Sequence, residues 1–230
     1  MRNNFHLPGE GKILVFNKPV DWTSFDVVNK IKRLTSIKKV GHAGTLDPFA
    51  TGVLLVCLGP ATKLSSELMN LPKEYIAQIS LGSETDTMDL TGNIITEKPV
   101  PSLSEEQINN VLKSFLGQIE QEIPAYSAAK YKGKRLYKLA RDGKEVPRLF
   151  KKVQIYEISL LERDQQSITI SVLCGRGTYI RTLARDIARK LDTAGHVKAL
   201  TRTSVGEYHL KNALTIEEFQ RQLQANESIS

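Results

Sequence analysis

The period of the apolar residues changes repeatedly along this chain, and each change marks an element. Residues 11–18 (GKILVFNK) run apolar from a glycine to a break at Pro19, which predicts a strand. Phe25, Val28, Ile31 and Lys32 follow Ser24 at helical spacing, which predicts a helix capped by Ser24 and running to about Leu34. Residues 37–51 are rich in Gly, Pro and Thr and read as a loop. The continuous apolar run 52–58 (GVLLVCL) reads as a buried strand. Residues 61–70 fit a short helix, 73–81 (KEYIAQISL) an alternating strand, 83–92 a turn-rich loop and 93–97 a further strand. Ser104-Glu105-Glu106-Gln107 is a capping box that opens a helix to about Leu116. Strands are expected near 153–162, 167–174, 196–202 and 205–210, with a helix from Tyr179 to about Leu191. Thr215-Ile216-Glu217-Glu218 is a second capping box, for a helix to about Leu223. Strands and helices alternate without regular βαβ spacing. The expected fold is α+β, a mixed, mostly antiparallel central sheet with flanking helices.

Composition agrees with a folded domain. The chain has 230 residues, 40 % hydrophobic and 25 % charged, which suits a globular protein with a sizeable core. Cys57 and Cys174 sit in apolar runs and are too few for a disulfide scaffold, so they read as buried reduced thiols of a cytosolic protein. Met1-Arg2-Asn3-Asn4 has no apolar segment behind it, and no stretch approaches the ~18 apolar residues of a membrane span. The expectation is a cytoplasmic protein with no membrane partner.

Charge sharpens this. Lys and Arg total 32 against 25 Asp and Glu, a net +7. Residues 126–152 alone hold ten cations against Asp142 and Glu145, a net +8, which leaves −1 for the rest. The ten include Lys130, Lys132, Lys134 and Arg135, with Tyr126, Tyr131 and Tyr137 interleaved. Cations neutralise phosphates and aromatic faces stack on bases, so this segment is a candidate nucleic-acid contact; the plainer alternative is a solvated helix face and loop. Glu84 to Glu122 carries eight acids against Lys98 and Lys113 and is expected to face away from a polyanion.

Several chemistries find no support. The histidines, His6, His42, His196 and His209, lack metal-ligand spacing, and there is neither a phosphate-binding Walker loop nor a Gly-x-Ser-x-Gly elbow. Two segments stand out instead. In 41–52 (GHAGTLDPFATG), three glycines and a proline place one carboxylate, Asp47, just before a buried strand. Asp-Pro is also an ordinary turn initiator. In 174–186 (CGRGTYIRTLARD), Arg181 lies in the first turn of a helix, where its charge opposes the helix dipole. A nearby carboxylate or phosphate would explain it; a solvated side chain or a pair with Asp186 is the bland alternative.

Taken together these segments resemble the TruB family of tRNA pseudouridine synthases. The resemblance rests on Asn17-Lys18-Pro19 with Ser24, on GHAGTLDPFATGVLLVCLGPATK at 41–63, KEY at 73–75 and LGSETDTMDLTG at 81–92. It continues through IPAYSAAKYKGKRLYKLAR at 123–141, GTYIRTLARD at 177–186 and HVKALTRT at 196–203. It implies a single catalytic domain of pseudouridine synthase fold over 1–230, with an RNA-clamping insertion at about 124–152. It also implies an isomerisation of one uridine in the T arm of tRNA, position 55, with no metal and no cofactor. The base must leave its stack to react.

The resemblance makes Asp47 the nucleophile, an ionised carboxylate that can add to C6 of uracil or C1′ of ribose, or act as a base on the sugar. It pairs Arg181 with that carboxylate, and stacks Tyr75 on the uracil with its hydroxyl placed to move a proton. His42 is implied at the T loop, and Tyr179 and Leu200 in the uracil pocket. Lys18 matches a motif that supports the active-site loop and is counted with the substrate-binding residues, as are Lys130, Lys132, Lys134 and Arg135. By local pattern alone Tyr75, Tyr179 and Leu200 are core residues and His42 is incidental. Many relatives continue into a C-terminal RNA-binding module of the PUA type, for which Ser230 leaves no room. The partner implied is the tRNA elbow, bound by a monomer. The alternatives are a tRNA-binding or folding module with secondary catalysis, and a pseudouridine synthase acting on another RNA hairpin.

Overall fold

The computed structural model describes residues 9–227. The readings made on Met1 to Asn4, on His6 and on the chain end at Ser230 lie outside these residues. In chain order the elements are β1 (Lys12–Lys18), α1 (Ser24–Thr35), β2 (Val40–Ala43), β3 (Thr51–Leu58), α2 (Ser65–Asn70), β4 (Lys73–Leu81), β5 (Ser83–Thr85) and β6 (Ile94–Glu97). There follow α3 (Glu105–Lys113), β7 (Gly117–Glu122), β8 (Lys130–Tyr131), β9 (Lys134–Arg135), α4 (Leu136–Arg141), β10 (Phe150–Arg163) and β11 (Ser167–Cys174). The last are α5 (Ile180–Lys190), β12 (Gly195–Val205), β13 (Tyr208–His209) and α6 (Ile216–Glu227), and 3-10 turns occupy Gly59–Leu64 and Leu210–Asn212. The fold is α+β, with mostly antiparallel strand pairing, as the pattern predicts. The chain divides into two compact units, Met1–Tyr75 with Leu200–Ser230, and Ile76–Ala199.

In the first unit β3 is the central strand. β1 pairs antiparallel along one edge, from Lys12 opposite Leu58 to Lys18 opposite Gly52. The other edge is shared. β2 pairs antiparallel with its distal half, and β12 pairs parallel at Thr51 and Gly52, opposite Thr201 and Arg202. Both faces of β3 are covered, which is why its sequence is continuously apolar rather than alternating. One face meets Phe16, Val27, Ile31, Ile216, Phe219 and Leu223, with Phe16 and Phe219 in an edge-to-face contact at 5.3 Å. The other packs with Ala43, Leu68 and Val205.

Three expectations change here. Thr23, not Ser24, caps α1: its hydroxyl accepts from Asp26 N–H while the Asp26 carboxylate accepts from Thr23 N–H at 2.9 Å. The Ser24 hydroxyl is engaged elsewhere, on Leu46. Phe25 is exposed, and Val27 joins Val28 and Ile31 on the buried face. The supposed loop 37–51 contains β2, because Val40 to Ala43 lie along the edge of β3 that β1 does not use. A third difference is one of bounds: β12 runs on to Val205, Gly206 turns the chain with φ 53°, and the second expected strand is only the two-residue β13, paired back on β12.

The second unit is built on the β10–β11 hairpin. β10 pairs antiparallel with β11 and, along its other edge, with β7; β4 lies beside β11. α3 carries the expected capping box, with the Ser104 hydroxyl accepting from Gln107 N–H at 3.1 Å, and buries Ile108 and Leu112. β7 was not anticipated. Its sequence, GQIEQE, shows little apolar alternation, and its one deeply buried side chain is polar, Gln121. β5 lies inside the acidic segment read as a loop, paired with β6.

Candidate active site

In the first unit Asp47 occupies a tight turn closed by Ala50 N–H donating to the Asp47 carbonyl at 3.1 Å. Buried side chains fix that turn from several directions. The Ser24 hydroxyl accepts from Leu46 N–H at 2.9 Å and donates to the Leu46 carbonyl at 3.3 Å. Lys18, fully buried, donates to the carbonyls of Pro19 at 2.8 Å, Trp22 at 2.6 Å and Pro48 at 3.0 Å. Arg202, also buried, donates to the carbonyls of Val53 at 2.7 Å and Gly44 at 3.1 Å. Thr51 and Thr201 join hydroxyls at 3.0 Å across the parallel pair. The backbone on both sides of Asp47 is thus held by a serine, a lysine and an arginine that belong to other elements. Gly52 has φ 104°, and a Cβ there would lie 2.2 Å from the Arg202 carbonyl oxygen, so only glycine allows this approach.

Burial lowers the Lys18 ammonium to about 8, against the opposing pull of the Asp21 and Asp47 carboxylates; the Arg202 charge pushes the same way as burial. His42 lies on β2 with its Nδ1 buried and without a hydrogen-bond partner. Burial, then the Arg202 charge, lowers its pKa, so the imidazole is biased to its neutral form. Tyr75 is buried on β4 and Leu200 on β12. Beside Tyr75, the Glu74 carboxylate accepts from the Thr203 hydroxyl at 2.7 Å.

In the second unit Arg181 is buried in the first turn of α5. It donates to the carbonyls of Thr87 at 2.8 Å and Tyr126 at 2.9 Å, and lies 3.4 Å from the Asp89 carboxylate. Asp89 also accepts from the Thr87 hydroxyl and from the N–H and hydroxyl of Thr91. The reason expected for a cation in this turn is therefore present, and neither bland reading holds: Asp186 pairs with Arg185 at 2.8 Å, and Arg181 is not solvated. Other acids of the negatively charged stretch are bound to arginines in the same way. Glu84 meets Arg189 at 2.6 Å, and Glu122 meets Arg148 at 2.7 Å and Arg185 at 2.9 Å, which holds the Glu122 carboxyl below its ordinary range.

Tyr179 sits at the N-terminus of α5. Gln121 accepts from its N–H at 2.7 Å and donates to its carbonyl at 3.0 Å. The basic segment leaves β7 and returns at β10. Its β8–β9 hairpin turns at Lys132, φ 47°, and Gly133, φ 80°, the doubly left-handed geometry of a tight hairpin turn. Lys130, Lys132, Lys134 and Arg135 are exposed around that turn, while Leu136 is fully buried and anchors it.

By unit, Lys18, His42, Asp47, Tyr75 and Leu200 lie in the first, and Tyr179, Arg181, Lys130, Lys132, Lys134 and Arg135 in the second. Arg202, Asp89, Gln121 and Lys151 had no role assigned from the sequence. Arg202 and Asp89 fall inside quoted motifs, and a charged residue in a run that packs as core was the available signal. Among the described residues no cluster of His, Cys, Asp or Glu could hold a metal ion, and no helix is long and apolar enough to cross a membrane.

Residues 32–180 match the N-terminal domain of TruB family pseudouridylate synthases, and residues 181–229 match the tRNA pseudouridylate synthase B C-terminal domain. Solved structures repeat the fold. A chain of a Cbf5-Nop10-Gar1 complex aligns with TM-score 0.72 and 29 % identity over 92 % of this chain and 54 % of its own. A chain of an H/ACA RNP bound to a substrate RNA containing 2′-deoxyuridine aligns with TM-score 0.71 and 26 % identity over 96 % of this chain. The chain spans 56 % of that second structure's length, a little over half, as in the first. The fold and the matched domains define a pseudouridine synthase, an isomerase. Sequence relatives give the family. The tRNA pseudouridine synthase B of Parabacteroides distasonis is 47 % identical over 94 % of each chain, and that of Phocaeicola vulgatus 46 % identical over 95 % of each. The chain belongs to the TruB family.

Proposed function

We propose that this enzyme converts the uridine at position 55, in the T arm of tRNA, to pseudouridine, with Asp47 as the nucleophile and Tyr75 and Arg181 as the other catalytic residues. The N1–C1′ bond breaks, the uracil turns, and C1′ bonds to C5. The proton leaves C5 and one is gained at N1, so atoms balance without an oxidant or a co-substrate. The reading of the substrate rests on relatives named tRNA pseudouridine synthase B over nearly the whole chain. The observation that carries the role of Asp47 is the set of hydrogen bonds that brace its turn. Ser24, Lys18 and Arg202 hold the flanking backbone, which is the preorganisation a carboxylate nucleophile needs. The exposed cations of the β8–β9 hairpin suit the phosphates of a folded RNA, with the segment at about 124–152 acting as a clamp. His42 is assigned to the T loop, and Tyr179 and Leu200 to the extruded base. The single-domain monomer and the cytoplasm, where tRNA is modified, belong to the same reading.

Incubation with a T-arm minihelix and mapping of pseudouridine tests this. Product at the position equivalent to 55 is expected. Binding without product supports a tRNA-binding module, and product on other hairpins alone supports a different RNA substrate. Asp47→Asn is expected to abolish turnover and leave binding nearly intact; activity within about tenfold of wild type removes Asp47 from the nucleophile role.

A further inference from the structure

The segment that carries the positive charge is the connection between β7 and β10, and its roots are a regular antiparallel ladder. In that ladder Lys151 stands opposite Gln121. Directly opposed residues put their side chains on the same face, and both of these end on the start of α5. Gln121 is buried, and its amide takes both backbone groups of Tyr179. Lys151 places its ammonium 4.1 Å from the centroid of the Tyr179 ring and donates to the Gly177 carbonyl. Gly177 has φ 83°, a left-handed backbone that favours glycine and turns its carbonyl toward the Lys151 ammonium. One rung of the sheet thus holds Tyr179 by backbone and by ring.

Lys151 differs from the other cations of its segment. The remaining nine are exposed, whereas Lys151 is half-buried. Burial, and then the Arg176 charge, lowers it to about 8. An ammonium that only gathers phosphates gains nothing from such desolvation. A cation seated on an aromatic face and a carbonyl is held there by both, and it fixes what it touches.

We infer that the Gln121–Lys151 rung is a positioning device for Tyr179, tying the orientation of that ring to the roots of the basic segment. The inference rests on the reading above, in which Tyr179 lies beside the uracil and the segment grips tRNA. RNA bound along the hairpin bears on β7 and β10, and the rung conveys the seating of those strands to the ring that meets the base. Lys151 and Gln121 act through Tyr179 and are positioning residues.

The test compares Lys151→Met, Lys151→Arg and Lys152→Met in steady-state turnover of the minihelix, with thermal melting as a check on folding. Lys152 is the exposed neighbour, opposite Glu120, and reports loss of one charge alone. Lys151→Met is expected to lower kcat by about tenfold with KM changed by no more than about threefold, the signature of a misplaced group rather than lost binding. Lys151→Arg keeps a cation over the ring and is expected to recover most of kcat. Lys152→Met is expected to raise KM only. If Lys151→Met raises KM alone, as Lys152→Met does, or lowers the melting temperature with kcat intact, the rung is not a positioning device. Gln121→Leu is expected to reproduce the loss in kcat; if it does not fold, the Lys151 pair decides. Wild type that makes no product overturns the functional reading and the rung with it, whereas active wild type with unchanged Lys151→Met overturns the rung alone.

Discussion

The Lys18 ammonium donates to the Pro48 carbonyl at 3.0 Å, so a buried cation on β1 grips the residue next to Asp47. Its pKa is lowered to about 8 by burial, from an unfolded value of 10.5. Between those values the unfolded chain holds the proton and the folded chain does not, so stability from this group rises with pH. Below the window the charged form carries its full desolvation cost. Wild type should therefore gain stability relative to Lys18→Met as pH rises from about 8 to 10.5, with other titrations cancelling in the difference. Urea unfolding of both proteins at pH 7 and pH 10 measures this. A difference that stays constant would show that Lys18 keeps its ordinary pKa.

Arg202 joins the Asp47 turn to β3 through the buried Val53 carbonyl and the half-buried Gly44 carbonyl. A lysine keeps the charge and loses the fork that reaches both acceptors. Arg202→Lys should cost about 2–4 kcal/mol, from one or two unsatisfied buried groups. It should also lower turnover more than it lowers RNA binding. Denaturant midpoints and a binding titration on the same preparation separate the two effects.

Gly52 lies opposite Arg202 in the parallel pair, with φ 104° and no room for a Cβ. Gly52→Ala must part β3 from β12 or strain the backbone, and should destabilise by about 3 kcal/mol or more. Gly143, with φ 66° but nothing within 4 Å of a Cβ, is the control. Gly143→Ala should cost only about 1 kcal/mol. Equal losses would mean that close packing against Arg202 contributes nothing.

Neutralising the hairpin tip should change affinity without changing stability. Lys132→Asn, Lys134→Gln and Arg135→Gln together remove three exposed cations, and asparagine tolerates the left-handed backbone at 132. The slope of log affinity against log salt should fall by about 2–3, while unfolding stability stays within about 0.5 kcal/mol. An unchanged slope would place the RNA elsewhere on the protein.

Much of this architecture was legible in the chain. β1, β3 and β4 follow from runs of one period, and the boxes at Ser104 and Thr215 open α3 and α6, because those signals are local. The +8 segment was legible as charge, and its tip cations are exposed. What escaped was set by contacts distant in sequence. Thr23 caps α1 because Ser24 is engaged by Leu46, twenty-two positions on. β2 and β7 exist because β3 and β10 offer them edges, and neither has the apolar alternation that would announce a strand. Lys18, Asp89, Gln121, Lys151 and Arg202 carry polar groups that local rules assign to solvent. Their partners are mainly backbone carbonyls and amides, and every residue presents those alike. Only the folded arrangement decides which of them fall within reach of a buried charge. The sequence by itself determined the elements that carry a clear local period or cap, the charged segment and the motifs. The tertiary structure decided how the Asp47 turn is held and what Tyr179 rests on.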